Sequence, residues 1–197
     1  MQFRKGNKVP FPDKIADSYA YSASNYRANV DADKLKELLR RFILMQEEEL
    51  FFILEMPTSR QDELKLGNGK IEKLHKDIYG VGYCTVERSL KLLDMLAELL
   101  INDGMCAFGF GCHESHDEIM VGKYNVVWLY ARSGKTYDSL FDQLEIPKVD
   151  ELVTAWDTFT HDDPGESMSV ETGGKRVYDI PEMLRDWEIC LLDRVED

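Results

Sequence analysis

Residues 85–132 read TVERSLKLLDMLAELLINDGMCAFGFGCHESHDEIMVGKYNVVWLYAR and carry signals for a helix, a turn and two strands in succession. Apolar residues recur in steps of three and four over residues 86–100, which predicts a helix with a wide buried face. Thr85 is placed to cap the start of this helix. The run Asn102-Asp103-Gly104 predicts its end, with Gly104 in the left-handed conformation.

Two strands are predicted after this helix. Residues 105–111, MCAFGFG, alternate large side chains with glycine, and residues 124–131, YNVVWLYA, are rich in β-branched and aromatic residues. The twelve residues between them favour an antiparallel pair joined by a long loop. We therefore expect the leucine-rich helix to pack on a sheet that contains both strands.

The flanking sequence extends this plan. Asp31 is placed to cap a helix over residues 31–49, and residues 50–56, LFFILEM, predict a central strand that is buried on both faces. Residues 57–84 are rich in glycine and predict a loop with a short helix near 70–77. Strands and helices do not alternate strictly. The predicted fold class is therefore α+β, a single domain with a mixed or mostly antiparallel sheet and helices packed against it.

The chain, residues 1–197, contains no repeat or linker that would divide it. Within the one domain, residues 1–30 are expected to form an N-terminal arm that buries Tyr19, Tyr21 and Tyr26, and residues 135–197 form an acidic C-terminal third. A chain of this length can bury a substantial core without disulfides.

The composition restricts the class of protein. Apolar residues make up 44% of the chain, but no apolar run approaches the length of a membrane span, so we expect no membrane partner. The N-terminal sequence lacks the apolar segment of a secretory signal, and the four cysteines are scattered without a pattern. These features indicate a cytoplasmic protein with reduced thiols, and no motif calls for a cofactor.

The net charge of −13 argues against direct binding to nucleic acid, because phosphate contacts need a basic surface. The charge is unevenly distributed, since residues 135–197 hold 6 basic and 17 acidic groups. This concentration favours a non-catalytic protein that binds a basic protein partner, such as an immunity protein or antitoxin that neutralises a toxin. The partner-binding residues are predicted to be an aromatic anchor and five carboxylates: Trp156, Glu151, Asp157, Asp162, Asp163 and Glu166.

The loop at residues 112–118, CHESHDE, supports an alternative function. A metal-dependent hydrolase could bind a divalent ion through His113, His116, Asp117 and Glu118, with Glu114 as the general base. The loop lacks an HExxH motif and a paired CxxC motif, so a solvated loop between strands explains the same residues. A third interpretation is a ligand-sensing domain in which residues 57–84 form a lid.

Overall fold

Ten β-strands and five α-helices make up the computed structural model, which describes residues 1–196. The strands in chain order are β1 Asn7–Lys8, β2 Ser18–Ser22, β3 Asn25–Asn29, β4 Leu50–Pro57, β5 His75–Cys84, β6 Ala107–Cys112, β7 Glu118–Val121, β8 Val126–Tyr130, β9 Glu166–Ser167 and β10 Cys190–Glu196. The helices are α1 Ala32–Leu44, α2 Arg60–Leu66, α3 Val86–Asn102, α4 Asp138–Asp142 and α5 Ile180–Met183. None of these helices is long and apolar enough to cross a lipid bilayer.

Eight strands form one sheet in the order β10-β5-β4-β6-β7-β8-β3-β2, and every neighbouring pair is antiparallel. The two remaining strands, β1 and β9, form a small antiparallel ladder of their own. The helices pack against the large sheet, so the predicted α+β class is confirmed.

One face of the sheet is covered by helices, and we call it the covered face. Successive residues of a strand point to opposite faces, and in β4 the residues Leu50, Phe52, Leu54 and Met56 are buried. They join one core cluster with the apolar residues of α1, α3, α4 and α5. Full burial of a side chain the size of phenylalanine stabilises the fold by about 1.5–3 kcal/mol, so this face supplies most of the stability.

The other face, which we call the open face, has none of these four helices over it. The β4 residues on this side, Phe51, Ile53 and Glu55, are only half-buried. The prediction that β4 is buried on both faces is therefore wrong for one of them. The continuous apolar run LFFILEM conceals an alternation in burial, because Phe51 and Ile53 are apolar although they lie on the less protected side.

The starts of both long helices are confirmed. Asp31 accepts a hydrogen bond from the amide of Asp33 at the start of α1, and Thr85 accepts one from Arg88 at the start of α3. The end of α3 differs from the prediction, because Gly104 is not left-handed. Instead the Asp103 carboxylate accepts hydrogen bonds from the two amides that follow Gly104, which leads the chain directly towards β6.

Two segments of the sheet were predicted wrongly. Residues 75–84 form β5, a ten-residue strand second from one edge of the sheet, where the sequence predicts a loop. Their two glycines weaken the strand pattern, but pairing with β4 on one side and β10 on the other supplies the missing stabilisation. The four-residue strand β7 lies between β6 and β8, so these two are not paired directly. Its first residue, Glu118, belongs to a strand rather than to the loop.

Residues 1–30 are more than an arm on the surface. β2 and β3 form one edge of the large sheet, where Tyr19 and Tyr26 are buried while Tyr21 is 43% exposed. Further upstream, the fully buried guanidinium of Arg4 donates hydrogen bonds to the carbonyl oxygens of Leu100, Cys106 and Gly122. The bond to Leu100 is at the C-terminal end of α3, where the helix dipole favours a positive charge.

Candidate functional site

The two histidines of the 112–118 loop are directed to different places. The ring of His113 stacks on Tyr83, with 4.6 Å between centroids, and its Nε2 accepts a 3.4 Å hydrogen bond from the Tyr83 amide. His116 is exposed, has a left-handed backbone and lines a separate cavity. Within residues 1–196 no group of three His, Cys, Asp or Glu side chains is arranged to hold a metal ion. The structure therefore separates His113 from His116, Asp117 and Glu118, and these three line one cavity without the arrangement of a metal site.

Asp117 is fully buried, and both of its oxygens are occupied. It accepts hydrogen bonds from the amide and hydroxyl of Ser133, at 2.8 and 2.6 Å, and from the Tyr137 hydroxyl at 2.7 Å. Burial and this bond to the carboxylate raise the pKa of Tyr137, so the phenol stays protonated and remains a donor. Asp117 thus fixes the chain that leaves β8.

Glu114, the alternative general base, is exposed and lies away from the His116 cavity. It lines a different cavity together with Glu47, Glu48, Glu49 and His113. Its amide donates a 2.6 Å hydrogen bond to the Glu48 carboxylate. Burial opposes ionisation of Glu48, but the hydrogen bonds from residues 114 and 115 outweigh it and lower the pKa of Glu48. This contact holds the loop against the connection between α1 and β4.

A row of residues across the open face forms the first part of the candidate site. The strand register places Phe51 of β4, Gly111 of β6, Glu118 of β7 and Tyr130 of β8 side by side. Phe51, Glu118 and Tyr130 line a cavity of about 360 Å³ whose remaining lining residues are Cys112, His116, Asp117 and Arg132. We call this the open-face cavity.

The wall formed by Phe51 depends on Gly111. A Cβ atom at position 111 would lie 2.2 Å from the tip of the Phe51 ring, so the end of the ring occupies the space above the glycine. The same ring packs edge-on against His113, with 5.3 Å between ring centroids. The absence of a side chain at Gly111 therefore allows the Phe51 ring to cover β6 and line the cavity.

Glu118 is the least satisfied carboxylate of this cavity. It is half-buried, and its oxygens have no hydrogen bond or ion pair with any residue in the range 1–196. Burial raises the pKa of Glu118, the nearby Arg132 guanidinium opposes this and Glu55 adds to it, with a net rise. Arg132 lines the same cavity but is exposed to solvent.

The thiol beside this cavity is not activated. Burial raises the pKa of Cys112 to about 11, which leaves it protonated at neutral pH. The thiolate is the reactive form of cysteine, so a nucleophilic role for Cys112 next to His113 is not supported.

The second part of the site lies at the other end of the open face. A cavity of about 360 Å³ is lined by Trp128 of β8, Glu55 of β4, Lys123 and Trp156, among others. Trp156 is 47% exposed and packs edge-on against Tyr124, with 4.7 Å between ring centroids. The predicted aromatic anchor is thus held rigidly by its neighbours while half of its surface faces solvent.

The five predicted carboxylates differ in what they do within the chain. Asp157 accepts hydrogen bonds from the amide and hydroxyl of Thr154, which lower the pKa of Asp157, and Glu166 pairs with Lys8 at 2.6 Å. In contrast, the exposed side chains of Glu151, Asp162 and Asp163 form no ion pair with the rest of residues 1–196. We call Trp156 and these three residues the acidic segment.

Sequence reasoning missed Phe51, Gly111 and Tyr130, and it placed Glu118 in a different kind of site. The signal that could have identified them is a set of aromatic residues and one glutamate at alternate positions of strands, but this requires the register between strands. Comparison of the chain with protein-family models, with curated proteins and with solved structures gives no match. The function is therefore inferred from the geometry of the site.

Proposed function

We propose that this protein is a non-catalytic, cytoplasmic binding protein that recognises a basic protein partner, in the manner of an immunity protein or antitoxin. The observation that supports the proposal is the acidic segment. A rigid, half-exposed tryptophan lies in the same short stretch of chain as three carboxylates that are exposed and unpaired within residues 1–196.

Each component of the acidic segment has a physical role in recognition. Trp156 offers a large apolar surface whose orientation is already fixed by Tyr124 and Phe159, so little conformational entropy is lost on binding. The carboxylates attract a positive surface and raise the rate of encounter. Since residues 135–197 carry a net charge of −11, the attraction extends beyond the three residues named here.

The test is affinity capture followed by measurement of the dissociation constant for the captured protein. We expect a partner with a basic isoelectric point whose affinity falls as salt is raised. The double substitution Asp162→Asn and Asp163→Asn is expected to weaken binding about tenfold, equivalent to about 1.4 kcal/mol, and Trp156→Ala by at least as much.

A matched control removes the same charge elsewhere. Glu72 and Glu98 are exposed and form no ion pair within residues 1–196, so Glu72→Gln with Glu98→Gln changes the net charge equally. This control is expected to bind almost as the unsubstituted protein does. Equal weakening by both double variants would show that net charge alone matters, and unchanged binding in the Asp162 and Asp163 variant would overturn the proposal.

A further inference from the structure

None of the residues that line the open-face cavity belongs to the acidic segment. The carboxylate and aromatic rings of the cavity nevertheless suit the same kind of partner, a basic protein. We propose that it receives one lysine or arginine side chain of the partner, with the cation held against the Glu118 carboxylate between the rings of Phe51 and Tyr130. This inference deepens the proposed function and rests on it for the identity of the partner as a basic protein.

The strand register sets the geometry of this cavity. Phe51, Gly111, Glu118 and Tyr130 occupy four adjacent strands, which are spaced about 4.8 Å apart, so the two aromatic residues start about 14 Å from each other. Glu118 lies between them, next to Tyr130. A carboxylate flanked by two rings combines an ion pair with cation–π attraction, which together select an organic cation.

The cavity holds more negative than positive charge, as a site for a cation requires. Asp117 and Glu118 both line it, and neither forms an ion pair within the described residues 1–196. Arg132 also lines the cavity but is exposed to solvent, which screens its charge. It therefore stabilises the ionised form of the half-buried Glu118 only in part. A half-buried carboxylate without a partner is costly, and a cation supplied from outside removes that cost.

The size and floor of the cavity suit a side chain with an aliphatic stem. Its volume of about 360 Å³ is at the lower end of the range for ligand sites, roughly 300–1,000 Å³. Because Gly111 has no side chain, the Phe51 ring covers it and provides an apolar floor for the cavity next to the strand of Glu118. The methylene groups of lysine or arginine can pack on this floor while the charged end reaches the carboxylate.

The inference is tested without any partner, using capped amino acids as probes. Nα-acetyl-arginine amide and Nα-acetyl-lysine amide are titrated into the full-length protein, and the amide resonances of β6, β7 and β8 are followed by NMR. We expect saturable shifts at millimolar concentration for both probes. The neutral analogue Nα-acetyl-citrulline amide, which keeps the shape of arginine, is expected to bind at least tenfold more weakly.

Substitutions localise the binding. Glu118→Gln keeps the size of the side chain and is expected to reduce affinity for the arginine probe at least tenfold, as is Tyr130→Leu, while Glu98→Gln on α3 leaves it unchanged. Thermal unfolding checks that each variant is folded. Absence of binding at millimolar concentration, equal binding of the citrulline probe, or undiminished binding to the Glu118→Gln variant would each overturn the inference.

The outcome also separates this inference from the proposed function. If a basic partner depends on Asp162 and Asp163 but binds equally well to the Glu118→Gln variant, the proposed function stands and the cavity inference fails. If the arginine probe binds at Glu118 but no basic partner depends on the acidic segment, the cavity accepts cations and the proposed function fails. A free amino acid as the natural ligand is distinguished by a lower affinity for the capped probe than for free arginine.

Discussion

The two faces of the eight-stranded sheet consist of the same strands but of different kinds of side chain. On the covered face, Phe52, Phe108 and Phe110 are fully buried among leucines of α1 and α3. On the open face, the corresponding positions hold half-buried aromatic residues, glycines and two glutamates. On the covered face, the residues that the sequence pattern marks as apolar are also the ones packed in the core. On the open face, a carboxylate remains without a partner within residues 1–196.

This difference separates residues that stabilise the fold from residues that are available for binding. The carboxylates show it most clearly. Asp77, on the covered face, is bonded by both Arg194 and Thr58, while Glu118, on the open face, has no partner within residues 1–196. A charged group that destabilises the fold and has no partner within the chain belongs to a functional site more often than to a structural one.

The largest expected effect is a difference in stability between substitutions of two adjacent phenylalanines, one on each face of the sheet. Phe52→Ala removes a fully buried ring and is expected to lower the free energy of unfolding by about 3–5 kcal/mol. Phe51→Ala removes a half-buried ring from the open face and should cost much less. Urea denaturation of both variants measures this, and similar losses would mean that the open face is packed as firmly as the covered face.

Asp77→Asn is expected to have the next largest effect, a loss of about 1.5–3 kcal/mol at neutral pH, because hydrogen bonds to a charged group are broken. Burial raises the pKa of Asp77, but the bonds from Arg194 and Thr58 outweigh it, so the net pKa is lowered. This contribution is complete above the pKa of an unfolded aspartate, about 3.9, and disappears as pH falls through the lower folded value.

Denaturation of the unsubstituted protein and of Asp77→Asn over a range of pH tests this sign. The difference in free energy of unfolding between the two proteins should become smaller as the pH is lowered. A difference that is constant with pH would show that the pair stabilises the protein through packing rather than charge.

The sequence predicted the covered face better than the open face. The helix-forming periodicity of α1 and α3 and their caps Asp31 and Thr85 are local features, so they could be located without the tertiary structure. β5 could not, because Gly80 and Gly82 lack intrinsic strand preference and the strand is stabilised by its two neighbours. The row from Phe51 to Tyr130 joins residues 79 positions apart, and only the strand register brings them together.

The candidate functional residues were also predicted only where they are close together in the sequence. Trp156 and the acidic residues of the C-terminal third were found because they are close in sequence and share a charge. Glu118 was grouped with His113 and His116 for the same reason, but the alternation of β7 directs it to the open face. Proximity in sequence grouped the residues of the acidic segment, and it placed Glu118 with His116 and Asp117, which line the same cavity, but also with His113, which lines another.

Two glycines of β6, both on the open face, differ in what surrounds them. A Cβ atom at Gly109 would lie 1.9 Å from the Ile119 carbonyl oxygen, which is backbone and cannot move alone, so Gly109→Ala is expected to cost about 1–3 kcal/mol. At Gly111 the three atoms nearest the Cβ atom would belong to the end of the Phe51 ring, a half-buried side chain that can rotate. Gly111→Ala should therefore cost less but displace the ring and weaken the arginine probe. Thermal unfolding and probe titration of both variants distinguish these effects, and equal destabilisation would show that Phe51 is immobile.

The smallest expected effect has the opposite sign from the others. Because the pKa of Glu118 is raised in the folded protein, its ionised form destabilises the fold at neutral pH, and Glu118→Gln is expected to increase the free energy of unfolding by about 0.5–2 kcal/mol. The destabilisation by Glu118 should disappear as pH falls through the raised folded pKa, so the difference in free energy of unfolding between the unsubstituted protein and the variant narrows at acid pH. This direction is opposite to that for Asp77, where acidification removes a stabilising contribution.

Urea denaturation of the Glu118→Gln variant at neutral and acid pH, with the Glu98→Gln variant as the exposed control, measures this effect. A gain in stability together with loss of the arginine probe would show that Glu118 is retained at a cost to the fold, as expected of a binding residue rather than a structural one. A loss of stability would mean instead that the carboxylate is stabilised within the chain, and a buried group satisfied in that way would have little to gain from a cation supplied by a partner.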